Sequence, residues 1–208
     1  MSEVRRFRRG ARPFDFTAGL PRPGRYPPDE LDVPAAIEAI RFAPVEVGYG
    51  FNAVGRQVFR QVGDQNEIRR IITSDLLAIE GGTFVHAHPP YTQFPVGDPR
   101  HRSGSFSARD LVFMYENRVS VMIAVTRERT YHLRQRPEGF FLDPGQMRNA
   151  YAEIVAEEEA SLREQAVGGI ISVEEAQSYG RHADNTMARL SLFFDYWWEE
   201  APKDASRP

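Results

Sequence analysis

The chain has 208 residues, 41% of them hydrophobic and 12% aromatic, which suits one compact domain with appendages, or two small ones, and argues against global disorder. A formal net charge of -3 leaves no electrostatic footprint for a nucleic acid or an anionic membrane, and no apolar run is long enough to span a bilayer. With no cysteine, disulfide frameworks, thiolate zinc sites and a cysteine nucleophile are all excluded.

From residue 1 to 34 the chain is rich in Arg, Pro and Gly, with Arg5, Arg6, Arg8, Arg9 and Arg12 crowded near the start. Prolines at that density deny regular hydrogen bonding, so this stretch reads as an arm or wrapping segment rather than a helix. It is either a flexible or partner-ordered tail or a basic arm for a nucleic acid or another anionic partner. The arginines are not followed by an apolar stretch, so this segment is not expected to be a secretory signal. A cytoplasmic protein is the default expectation, although a delivered effector or a virion component meets the same test.

Residues 35–140 carry alternating short helices and strands. Pro34 opens a short helix to Arg41. Val45–Phe51 and Gln57–Val62 read as a hairpin around Asn52-Ala-Val-Gly55. Asp75–Ile79 is a short apolar piece before Gly81-Gly82. Thr83–His88 is a strand that ends at Pro89-Pro90, and Tyr91–Gly104 is irregular. Ser107 opens a helix to about Asn117, Val119–Val125 is a doubly buried strand, and Thr130–Arg134 pairs beside it.

Residues 141–208 change character. Asp143-Pro144 starts one helix that Gly168-Gly169 ends, and Ser172–Glu175 is a capping box for a second. Ala176, Tyr179, Ala183, Met187, Leu190, Phe194 and Trp197 mark that second helix as long and amphipathic. The expected fold class is therefore α/β (α+β), a mixed and mostly antiparallel sheet flanked by helices and extended by a C-terminal helical hairpin. The aromatic run Phe193–Trp198 packs on the core or meets a protein partner.

The chemistry concentrates at His86-Ala-His88-Pro89. Side chains two apart on a strand share a face, so both imidazoles reach one ion. A hydrolytic zinc site needs three protein ligands and an open position for water. Asp110, at the start of the next helix, is the natural third ligand. Ser107, one turn away, is placed to donate to an oxyanion. Glu46, a lone acid in an apolar strand, is the candidate general base.

This order of residues resembles the JAMM (MPN+) family of zinc peptidases and isopeptidases. The likeness runs over residues 45–137 and is closest to JAMM-like domains of phage head-morphogenesis proteins and bacterial polymorphic toxins. The resemblance implies a Zn2+ cofactor on His86, His88 and Asp110, Glu46 as acid and base, Ser107 at the oxyanion, and a protein or peptide substrate. The spacing from His88 to Asp110 exceeds the family's usual length, because Tyr91–Gly104 reads as an insertion at the mouth of the site. It also brings rival ligands, His101 and Asp98.

Bland roles stand beside these. Ser107 and Asp110 fit an ordinary capping box, His132 reads as structural, His182 as a surface or interface residue, and Glu157–Glu159 as a solvated helix face. Two other functions remain open: a non-catalytic scaffold of phage or toxin assemblies, and a metal-dependent nuclease built on His86, His88, His101 and Asp98.

Overall fold

The computed structural model describes residues 19–68 and 71–202. The expected arginine cluster lies outside the described residues. The elements run β1 (Gly24–Tyr26), α1 (Val33–Ile40), β2 (Val47–Phe51), β3 (Gln57–Val62), α2 (Thr73–Ala78), β4 (Thr83–Ala87), α3 (Ala108–Glu116), β5 (Val121–Val125), β6 (Arg129–Arg134), α4 (Pro144–Val167), α5 (Val173–Ala176), α6 (Tyr179–Leu190) and β7 (Asp195–Glu200). The strands form one seven-stranded sheet in the order β1-β3-β2-β4-β5-β6-β7. Only β4 and β5 run parallel, and α3 lies in the chain between them. The mixed α/β class with a mostly antiparallel sheet is thus the observed one.

The strand period of two sorts the sheet into two faces. Val47, Tyr49, Phe51, Val85, Ala87, Ile123 and Val125 point to the side of Ala36 and Ile40 on α1. Phe84, Met122, Ala124 and Leu133 point to the opposite side, where Leu111, Met147, Tyr151, Met187 and Leu190 from α3, α4 and α6 close the larger core. The C-terminal helices therefore share a core with the sheet. Burial of such side chains contributes roughly 1.5–3 kcal/mol each, so this shared core, not any one cap, fixes α4 and α6 in place.

Two expectations are corrected here. The arm is not wholly irregular, because Gly24–Tyr26 pairs with β3 as an edge strand. Arg25 reaches Asp75 at 2.6 Å, and the buried Asp29 meets Arg60 at 2.7 Å, so the proline-rich stretch is tied down before α1 begins. The second helix of the C-terminal hairpin is not continuous and stops short of the aromatics. Ser178 starts a new helix after α5, and the chain leaves α6 at Leu190.

The aromatic segment then pairs along β6 as β7. Aromatic residues favour a pleated surface, and His132 offers Trp197 a stacking partner at 4.8 Å with planes 2° apart. Arg129 lies 4.1 Å over the Trp198 ring. These cross-strand contacts outweigh the helical spacing that the same residues carry. Among the described residues, no helix is long and apolar enough to cross a membrane.

Gly82 sits where the turn after α2 enters β4, and a Cβ there would collide with the carbonyl oxygen of Phe51. Because the obstacle is backbone, Gly82→Ala should destabilise the protein by about 1–3 kcal/mol or more. Urea denaturation checks this, and an unchanged midpoint would show that the β2–β4 junction yields more easily than the packing implies.

Candidate metal centre

The centre lies at the carboxyl end of β4, beside the start of α3. Gly48 on β2 and Ala124 on β5 are the register partners of His86. Neither partner has a side chain larger than a methyl group, so the imidazole has room between its neighbours. A Cβ on Gly48 would come within 2.6 Å of the Ile68 side chain and 2.8 Å of the Phe84 ring. Phe84 in turn stacks on His86 at 5.3 Å.

His86, His88 and Asp110 are brought together as expected, each offering one donor atom to a common point. His86 Nε2 lies 2.8 Å from His88 Nε2 and 3.4 Å from Asp110 Oδ1. His88 Nε2 lies 3.8 Å from Asp110 Oδ2. A tetrahedral zinc with ligands at about 2.0–2.1 Å sets donor separations of about 3.3 Å, so shifts of roughly half an ångström would seat one. The group can hold a metal ion.

Hydrogen bonding fixes how these donors face. His88 Nδ1 is 2.9 Å from the carbonyl oxygen of Gly104, which can only accept, so the proton sits on Nδ1 and Nε2 keeps its lone pair. Burial and the neighbouring His86 lower the His88 pKa, which keeps the ring neutral as a ligand must be. His86 Nδ1 is buried without a hydrogen-bond partner, while its Nε2 faces the His88 lone pair and the Asp110 carboxylate.

Asp110 is oriented by Ser107. The Ser107 N–H and hydroxyl both donate to Oδ2 at 2.7 Å, which leaves Oδ1 for a cation. Burial pushes the Asp110 carboxyl up. The bond with His86, both imidazoles and the Ser107 N–H outweigh that and hold it below the usual carboxylate range. The capping box is present, and a cap of this kind contributes about 1 kcal/mol. Ser107 thus has a structural role whatever else it does, and its hydroxyl proton lies on the ligand rather than in the cavity.

Glu46 stands one residue before β2. Its backbone pairs with Gly63 and Asp64, at 2.8 and 2.7 Å, which places its side chain on the face of Gly48 and His86. It lines the same cavity of about 580 Å³ as His86, His88, Ser107 and Asp110. Burial, then the charges of Asp110, Asp64 and Glu67, raise its carboxyl well above the ordinary value.

The Tyr91–Gly104 segment supplies no ligand to the His86, His88 and Asp110 group. Asp98 is held by Arg100 at 2.7 Å and His101 Nδ1 donates to the Phe94 carbonyl at 2.9 Å, so neither joins the donor group. Instead the segment supplies Tyr91 to the cavity wall, where its ring meets Tyr179 of α6 edge-on at 5.7 Å. His182, expected at the surface or an interface, is buried within the chain, and its Nε2 donates to the Ala176 carbonyl at 2.9 Å, joining α6 to α5. His132 is structural, stacked under Trp197. The Gly104 carbonyl, Tyr91 and Tyr179 were missed by sequence reasoning. A backbone oxygen leaves no residue-type signal, and the tyrosines lie far apart in the chain.

A raised acid lowers stability as pH rises: below its ordinary value of 4.5 the folded and unfolded chains are both protonated, and above it the unfolded chain ionises first. Metal-free Glu46→Gln should therefore match the parent near pH 4 and become the more stable of the two towards pH 8, read by urea denaturation. A stability gap that stays constant with pH would contradict the assigned environment. Comparison of the chain with models of protein families, with characterised proteins and with solved structures finds no match, so the centre is read from its own geometry.

Proposed function

We propose that the chain is a zinc-dependent hydrolase of peptide or isopeptide bonds. The observation that carries this reading is the convergence of two imidazole nitrogens and a carboxylate oxygen in a cavity that is also lined by the half-buried acid Glu46. Nitrogen and oxygen donors without thiolate suit zinc. The order Glu46, His86-Ala-His88-Pro89, Ser107-Ala-Arg-Asp110 adds the likeness to JAMM peptidases.

A zinc ion held there supplies Lewis acidity, polarising a carbonyl and bringing the pKa of a water to about 7. Glu46 accepts the proton of the attacking water as the C–O bond forms. It delivers that proton to the amine nitrogen as the C–N bond breaks. Its raised carboxyl holds a proton more readily than an ordinary glutamate does, which suits delivery to the leaving amine. Ser107 holds Asp110 in register through Oδ2. By turning its hydroxyl from that oxygen into the cavity, it steadies the developing oxyanion.

Glu46→Gln should keep zinc and lose about 10²–10⁴-fold in turnover, whereas His88→Ala loses both. Metal content by elemental analysis, with cleavage of a peptide library and of an isopeptide-linked protein chain, reads the outcome. A Glu46→Gln variant that turns over like the parent would refute the mechanism.

A further inference from the structure

We infer that α6 is the positioning element of the metal centre, acting on His88 through Asp184 and a single peptide group. The inference rests on the metal-site reading, yet its acting residue, Asp184 on α6, lies outside the stretch that resembles the JAMM family. The peptide joining Gly104 to Ser105 is engaged at both ends. Its carbonyl accepts from His88 Nδ1 at 2.9 Å, and its N–H donates to Asp184 Oδ1 at 2.9 Å. Carboxylate, peptide and imidazole form a relay that ends at the His88 Nε2 lone pair.

Hydrogen bonds in series polarise one another, so a carboxylate on the N–H makes the same peptide's carbonyl a stronger acceptor. That locks the His88 proton on Nδ1 and raises the basicity of Nε2 as a ligand. The arrangement does through a peptide what a direct carboxylate–histidine contact does in many zinc sites. Asp184 is itself fixed, since Oδ2 accepts from the Tyr131 hydroxyl at 3.0 Å and from Arg129 at 3.3 Å.

Backbone packing holds the relay in place. A Cβ on Gly180 would come within 2.9 Å of the carbonyl oxygens of Arg102 and Ser103, and one on Gly104 within 2.5 Å of Gly180 O. Two glycines therefore let α6 rest directly on the 102–104 backbone. The same segment is pinned by Ser103 Oγ on the His88 carbonyl at 2.6 Å, and Ser178 Oγ holds the Pro99 carbonyl at 2.9 Å. Asp184 is a positioning residue, since it touches the peptide, Tyr131 and Arg129 and does not line the cavity.

The test measures zinc affinity by chelator competition in folded Asp184→Ala, Asp184→Asn and Gly180→Ala proteins, with the His88 tautomer read from ¹⁵N histidine shifts of the metal-free forms. Asp184→Ala and Gly180→Ala should each weaken zinc by about 10–100-fold, with loss of the single Nδ1–H tautomer. Asp184→Asn, which still accepts the Ser105 N–H, should restore most of both. Affinity and tautomer unchanged in Asp184→Ala or in Gly180→Ala would overturn the relay. If the parent binds no zinc, the metal reading fails, while a tautomer that responds to Asp184→Ala would still establish the relay.

Discussion

Two imidazole nitrogens held 2.8 Å apart cannot both present lone pairs unless a proton or a cation lies between them. Because the Gly104 carbonyl commits His88 to a lone pair at Nε2, the metal-free centre needs the His86 proton to bridge the gap. A cation removes that need, and the Asp110 carboxylate already faces the pair to balance its charge. The metal reading and the part assigned to α6 both depend on this constraint.

The fold is arranged to hold those nitrogens. Gly48 and Ala124 flank His86 in the sheet, so its ring stands beside a glycine and a methyl group at the end of the one parallel strand pair. The chain between β4 and β5 carries Ser107 and Asp110 back over the same end, with the capping box setting which carboxylate oxygen is free. The Tyr91–Gly104 segment lines the cavity and docks on α5 and α6 instead of supplying ligands. A helix pair that looks like an appendage in the sequence thereby becomes a wall of the site.

Much of this was legible in the residues. The His-x-His spacing on a strand, the capping pattern at Ser107 and the isolated acid at Glu46 each carry local physical signals, and the strands and helices from Val33 to Val167, α2 apart, fall close to where periodicity puts them. What was not legible depends on partners distant in sequence. The Asp195–Glu200 strand has helical spacing, and only the exposed flank of β6 and the His132 ring make it a strand. The buried state of His182 and the anchoring of Ser105 by Asp184 likewise depend on contacts that local pattern cannot encode.

The most direct measurement is an anomalous-scattering crystal structure of zinc-loaded protein, collected at the zinc absorption edge. The account predicts one strong peak bounded by His86 Nε2, His88 Nε2 and Asp110 Oδ1, with Glu46 facing it across the cavity. No peak there, or a peak held by other donors such as Asp98 and His101, would contradict it.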